Sequence, residues 1–377
     1  MAQSGGAGAL RSVVLGLLNI LARTPGKPAA MASAEVRRIL VVELWNIGDV
    51  VLLLPFLTQL RLRFPNASVT LLARPHARVI LANTGLVDEF LDDAEPAENW
   101  LSLNPLLGGW RDLWRLRRQL RERDFDIAFQ CRLHVREHVI LAMSGARRRI
   151  GYAFGEGDRM LTDALHVDNP HRRKVEDWLR LLSVVGGPVD DSSATLRVAA
   201  EERKAAEQFL AGHGVRDTDI LIGLHPGASL PEKRWPLERF AAVARELVLR
   251  NDVRVIAFAD PYGYGSSLGD VEGVVVASTT LRQLIATIDR CALLVCNDSG
   301  PMHIAGGLGV RTVAIFGSGV DRWFAPLGEG HELISAESES GVENIPVDRV
   351  LDAVDRMIAA RSAPGTPIPS TPQLSPS

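Results

Sequence analysis

Cysteine is scarce. Three residues in 377, Cys131, Cys291 and Cys296, cannot form a disulfide framework, and none stands in a CxxC or Cys/His metal spacing. A reducing, cytoplasmic setting follows. Long apolar runs are lacking too: no stretch reaches the eighteen or so residues that a spanning helix needs. Neither sign of charge dominates, since 42 Lys and Arg stand against 45 Asp and Glu for a net −3. General nucleic-acid binding, which wants a clear basic excess, is thereby excluded, though a local basic face is not. Gly-x-Gly-x-x-Gly is absent after the first strand, and Gly-x-x-x-x-Gly-Lys-Ser/Thr is absent altogether. A nicotinamide dehydrogenase and a P-loop enzyme both lose their fingerprint.

What is present is a chain able to bury a large core, 46% apolar with 23% charged residues. Residues 1–34 differ from the rest. Leu15, Leu18 and Leu21 between Arg11 and Arg23 suit a short interfacial helix, or the segment is a frayed extension with Met31 as an alternative start. It lacks the basic start and clean cleavage site of an export signal, which a periplasmic sugar-binding protein with two lobes would carry. Arg38–Glu43 runs on as a buried strand into Leu44. Helices are expected over Leu52–Phe64, Trp110–Asp124 and Asn169–Val185, and strands over Val69–Ala73 and Phe125–Gln130.

A second alternating series follows. Its strands are Ile220–His225, Val253–Ala259, Val274–Ala277, Leu293–Asn297 and Thr312–Phe316. Its helices are Leu237–Arg250, Leu281–Cys291 and Met302–Leu308. Such alternation in two halves implies an α/β chain of two parallel-sheet domains facing a cleft. Gly186–Ser193 marks the break. The expected division is 35–188 for the first domain, 189–218 for a linker region and 219–345 for the second domain. A C-terminal helix, 346–361, could cross back to the first domain, and 362–377, rich in Pro, Ser and Thr, is a disordered tail.

Ligands of open α/β sheets sit beyond the carboxyl ends of the strands, so three loops carry the chemistry. Trp45-Asn-Ile-Gly-Asp49 follows the first strand. Asp49 is either an N-cap or a carboxylate at the cleft mouth, with Gly48 permitting close approach. His225-Pro-Gly-Ala-Ser229 offers small residues, among them Gly227 and Ser229, whose N–H groups could meet an anion. Lys233, Arg234 and the Trp235-Pro236 pair come next; Lys233 is a phosphate ligand or a solvated lysine. Asn297-Asp-Ser-Gly-Pro-Met-His303 opens a helix whose first turn, with Ser299 and Gly300, suits a phosphate. Asp298 and His303 could border the same pocket, or be an N-cap and a core-edge histidine.

In this order and at these separations, the three loops resemble the family 9 glycosyltransferases, the lipopolysaccharide heptosyltransferases. The matching pieces are Ile47–Pro55, His225–Ala228 with Lys233–Pro236, and Asn297–His303 with the strand ending at Gly317, over roughly residues 37–360. The resemblance implies a GT-B fold of two Rossmann-like domains. The first would bind a glycan or glycolipid acceptor and the second a nucleotide sugar, ADP-heptose above all. It implies transfer with inversion, with no cofactor and no metal; Asp190-Asp191 lies in the linker. Asp49 matches the general base, Lys233 the catalytic cation at the donor phosphates, and Asp298 the acid near the donor sugar. Ser299, Gly300 and His303 match the diphosphate-binding helix start.

There are departures. Glu43-Leu-Trp45 stands where many members have Arg or Lys. Asp260-Pro-Tyr-Gly-Tyr-Gly265 stands where a Glu suited to the ribose hydroxyls is common, so Asp260 is the substitute expected there. Another nucleotide sugar, or another acceptor, is the alternative reading. Basic clusters at Arg111–Arg123, Arg147–Arg149 and His171–Lys174 fall in the first half. They suit peripheral docking on the anionic cytoplasmic face of the inner membrane, or form a solvated helix face.

Overall fold

The computed structural model describes residues 32–91, 109–153, 155–169, 172–186, 194–317, 323–337 and 341–362. Most of the N-terminal extension, most of the Gly186–Ser193 break and the tail beyond Ser362 lie outside the described residues, as do Asp190, Asp191 and His171. The chain divides into two compact units, one built from residues up to Ala199 with Arg322–Leu327, the other from Ala200–Asp321 and residues from Gly328 on.

The first unit contains β1 (Arg38–Glu43), α1 (Ile47–Leu52), α2 (Leu54–Arg63), β2 (Ser68–Ala73), α3 (His76–Ile80), β3 (Glu89–Leu91), α4 (Gly109–Glu122) and β4 (Ile127–Gln130). It continues with α5 (Val135–Ser144), β5 (Arg148–Tyr152), β6 (Asp163–Leu165) and α6 (Lys174–Ser183). Every pairing is parallel, in the order β3-β2-β1-β4-β5-β6. β1 is buried from Ile39 to Glu43, as a central strand covered on both faces must be. Phe56 of α2 meets Phe129 of β4 edge-on at 5.2 Å and Trp178 of α6 at a tilt at 4.9 Å, joining two helices to one face of the sheet.

The second unit contains α7 (Ala200–Gly212), β7 (Ile220–His225), α8 (Leu237–Val248), β8 (Val253–Ala259), β9 (Val274–Ser278), α9 (Leu281–Ile288) and β10 (Leu293–Asn297). It ends with α10 (Gly300–Leu308), β11 (Arg311–Phe316), β12 (His331–Ser335) and α11 (Val347–Ser362). The sheet order, β12-β11-β10-β7-β8-β9, repeats the first in the unit's own numbering. Both are Rossmann-type sheets, and in each the strand order reverses beside the unit's first strand, between β1 and β4 and between β7 and β10. The fold class read from the alternation is therefore present twice.

Several local expectations change. The Leu52–Phe64 helix starts at Leu54 and ends at Arg63, and Leu52 instead closes a separate helix that begins at Ile47. The stretch read as a linker, 189–218, contains α7, which belongs to the second unit, where Arg282 clamps Glu202. α11 packs on the second sheet rather than crossing back, since Val350, Ala353 and Val354 enter that core. α6 begins at Lys174, not Asn169.

The basic clusters are absorbed by the fold only in part, and Arg115, Arg117, Arg118, Arg121 and Arg147 stay exposed. Arg148 is buried against Asp163, and Arg149 donates to the Met160 and Ala146 carbonyls. Lys174 is buried and donates to the Cys131 carbonyl, while Arg172 pairs with Asp168. On α4, Arg115 and Arg118 pair with Asp112 and Glu122, and Arg117 stacks on exposed Trp114. Among the described residues no helix is long and apolar enough to cross a membrane.

Candidate functional site

Each unit gathers its chemistry where its strand order reverses. In the first unit the elements involved are the ends of β1 and β4. The α1 turn is closed by Asn46 as N-cap, with Asp49 three residues on; Asp49 Oδ2 accepts the Asn46 N–H at 3.2 Å. Asp49 is thus not the cap itself. Its other oxygen, Oδ1, is paired with Arg132, the second residue beyond β4. Arg132 lies over the Trp45 ring, 4.1 Å from the centroid to the guanidinium carbon. Its backbone N–H donates to Gln130 Oε1 at 2.7 Å.

Glu43, the last residue of β1, is 1% exposed and accepts the Trp45 N–H at 3.2 Å through Oε1. Burial pushes its carboxyl up to about 7, Arg132 and Lys174 opposing, Asp49 and Glu137 adding to the rise. Four buried polar atoms at this strand end have no hydrogen-bond partner among the described residues: Glu43 Oε2, Trp45 Nε1, Gln130 Nε2 and Arg132 Nε. Buried polar groups are normally satisfied, so this is a place built for a polar ligand or water. Sequence reasoning missed Arg132. No motif holds it, and only the pairing of β1 with β4 brings it beside Asp49.

In the second unit the corresponding ends are β7 and β10. Asn297, fully buried, ties the two loops: Nδ2 donates to the Pro226 carbonyl at 2.7 Å and Oδ1 accepts the Trp235 N–H at 3.1 Å. Trp235 is anchored by its indole N–H on the Ile345 carbonyl at 2.9 Å and packs edge-on against Phe240. That anchoring holds Lys233 in place, and its Nζ meets Asp298 Oδ2 at 2.5 Å. Lys233 is half-buried and paired with Asp298 rather than freely solvated. Ser299, not Asp298, is the N-cap residue of α10, whose first turn begins at Gly300 with Pro301 behind it. His225 Nδ1 stands 3.5 Å from Ser299 Oγ. Burial pulls His225 down to about 4, so the imidazole is neutral at ordinary pH.

Gly227 fits closely here: a Cβ there would lie 3.0 Å from His225 Cε1, so the imidazole would have to give way. Arg234 donates to the Ala228 carbonyl and stacks on Tyr264 at 4.8 Å, fixing the loop from behind. Asp260 Oδ1 accepts the N–H groups of Tyr262 and Tyr264, both at 2.9 Å, and so closes its own turn. His303 lies buried in the second turn of α10, and Ser229 is exposed. The structure therefore brings Gly227, Lys233, Asp298, Ser299 and Gly300 to one strand end, with Asp260 alongside and Ser229 at its margin. Asn297 had no role in the sequence reading beyond ending a strand. Among the described residues no cluster of His, Cys, Asp or Glu could hold a metal ion.

Two Rossmann-type units, each with polar loops at the reversal of strand order, define an α/β protein of the GT-B type. The chain belongs to glycosyltransferase family 9 (heptosyltransferase), whose model matches residues 113–345. That span takes in both loops of the second unit and Arg132, while the Asn46–Asp49 turn precedes it. The lipopolysaccharide core heptosyltransferase OpsX of Haemophilus influenzae is 24% identical over 221 residues, 55% of this chain and 61% of that one. The chain thus matches less than two thirds of that relative's length.

Two solved structures share the fold. The family 9 glycosyltransferase of Veillonella parvula has a TM-score of 0.74 at 24% identity, over 88% of this chain and 99% of that one. The ADP-heptose lipopolysaccharide heptosyltransferase II of Escherichia coli has a TM-score of 0.69 at 21% identity, over 87% of this chain and all of that one.

Proposed function

We propose that the chain transfers heptose from ADP-heptose to a lipopolysaccharide core acceptor, with inversion and without a metal ion. Family membership supports glycosyl transfer; the names of the relatives support heptose, the nucleotide and the acceptor. The observation that carries the donor side is the Lys233–Asp298 pair at the start of α10, beside the Pro226–Ser229 loop. A cation and an open helix N-terminus together suit a leaving diphosphate.

In this reading the second unit binds the donor through Gly227, Ser229, Lys233, Ser299 and Gly300. Asp298 borders the sugar, His303 backs the helix start, and Asp260 Oδ2 is left for a ribose hydroxyl. The first unit binds the acceptor, and Asp49 takes the acceptor hydroxyl proton. The acceptor oxygen then bonds to the anomeric carbon as the bond from that carbon to the phosphate oxygen breaks, its electron pair leaving with ADP. Inversion needs this single displacement, with the base opposite the leaving group.

ADP and ADP-heptose should raise the melting temperature and NAD should not; ligand at about a hundred times its Kd contributes about 2.7 kcal/mol. A panel of other nucleotide sugars, run alongside, tests the alternative donors. Transfer should persist in chelator and give the inverted anomer. Asp49→Asn should lower transfer about 10²–10⁴-fold with ADP affinity kept. Stabilisation by a different nucleotide sugar alone would replace the donor, and near-full transfer by Asp49→Asn would move the base elsewhere.

A further inference from the structure

At the end of β1, two of the four unpartnered atoms are complementary. Glu43 Oε2 is a buried acceptor without a donor, and Arg132 Nε is a buried donor without an acceptor. Arg132 reaches Asp49 with Nη2, leaving the Nε side of its fork unused. A guanidinium fork is made to hold a carboxylate with two N–H groups at once. Here it holds one carboxylate by a single terminal nitrogen, while one oxygen of a second carboxyl has no donor. The flat face of Trp45 beneath Arg132 offers a surface over which the guanidinium can slide without losing its stacking contact.

We propose that Glu43 and Asp49 are alternative partners of the one Arg132 guanidinium, and that Glu43 is a positioning residue whose capture of Arg132 releases Asp49 Oδ1 to accept the acceptor proton. This rests on the reading of Asp49 as the base. Asp49 accepts the Asn46 N–H through Oδ2 and Arg132 through Oδ1, so departure of Arg132 leaves both lone pairs of Oδ1 for the acceptor hydroxyl.

The charge state of Glu43 sets the balance. Facing it are Arg132 and Cys131 from the end of β4, Asp49 from α1, Glu137 from α5 and Lys174 from α6. With its carboxyl pushed up to about 7, Glu43 is protonated below neutrality, and Arg132 then has only one anionic partner of the two, Asp49. Above neutrality Glu43 ionises and competes for the guanidinium. Acceptor-side reactivity should therefore rise as Glu43 loses its proton.

The Arg132 side-chain Nε–H resonance in 15N-labelled full-length protein, assigned by its loss in Arg132→Lys, reads the exchange directly. In wild type it should move in one step centred near pH about 7. In Glu43→Gln it should stay at its low-pH position, and in Asp49→Asn the step should move to lower pH, because Glu43 then has Arg132 without a competing carboxylate. A wild-type resonance that stays fixed while Glu43 titrates overturns the proposal. In transfer assays with ADP-heptose, Glu43→Gln should lose the rise in kcat across neutrality and fall about tenfold at alkaline pH, with KM for ADP-heptose unchanged. A Glu43→Gln enzyme that keeps the wild-type pH profile overturns it equally. If wild type transfers no heptose at all, the functional reading fails, while the resonance still decides whether Arg132 has two partners.

Discussion

Lys233 meets Asp298 at 2.5 Å, and an ammonium already beside a carboxylate offers a phosphate little net charge. The pair is nonetheless a sound donor-site device. Nζ has three donors and can serve a carboxylate and a diphosphate together, while Asp298, 8% exposed at its side chain, keeps the ammonium aimed. Removing Lys233 would then do more than delete one contact: it would leave a buried carboxylate facing an anionic ligand. Lys233→Ala should weaken ADP binding roughly tenfold to a hundredfold by calorimetry. Lys233→Ala with Asp298→Asn should recover part of the loss, because the uncompensated charge has gone. Unchanged affinity in Lys233→Ala would move the diphosphate to another part of the unit.

Elements meet at Asn297, where one amide satisfies a carbonyl of the β7 loop and an N–H of the Trp235 loop. Asn297→Ala strips both partners in a fully buried place, which costs about 1–3 kcal/mol for each unsatisfied group. Asn297→Asp keeps the acceptor but turns a carboxylate oxygen toward the Pro226 carbonyl, an added cost in a fully buried place. Urea unfolding should place wild type above both variants, and equal stability of all three would mean that water replaces the amide. What could be read from sequence divides at this same scale. β1, β7, β8, β10 and β11 announce themselves as continuous β-branched and apolar runs because both their faces are covered. β3 and β6 are three-residue edges, too short to show a pattern. β5 opens Arg-Arg and looks solvated, yet Asp163 and main-chain carbonyls take up those charges. α5 hides for a like reason: Glu137 and His138 are buried in it, with Glu137 bound by Arg136 and His138 by the Tyr152 carbonyl. The loops of the second unit were legible because their residues stand together in sequence. Arg132 was not, because its place beside Asp49 is a product of strand order.

At the scale of the whole chain, the most strongly shifted carboxyls of the first unit and the most strongly shifted histidine of the second are of opposite sense, while burial also lowers His76 of the first unit. In the first, burial raises Glu43 to about 7 and Asp177 to about 6. An acid with a raised pKa binds its proton more tightly folded than unfolded, so these two stabilise their unit as pH falls through their folded values toward the ordinary carboxylate range. In the second, burial lowers His225 from 6.5 to about 4. A histidine kept neutral in the fold contributes stability that is complete above its unfolded pKa and is lost as pH falls toward its folded one. At pH about 5 that loss comes to about 2 kcal/mol, taking 1.36 kcal/mol per unit. Acidification from about pH 7.5 to about pH 5 should therefore split the units. Hydrogen exchange, corrected for the intrinsic pH dependence of amide exchange, should show β7, β10 and α10 losing protection while β1 and β4 hold or gain it. His225→Gln should remove the loss in the second unit and leave the first unit's response as it was. Equal loss in both units would mean that they unfold as one body or that His225 is charged in the fold, and the variant separates these two: it restores protection, in both units, only in the first case.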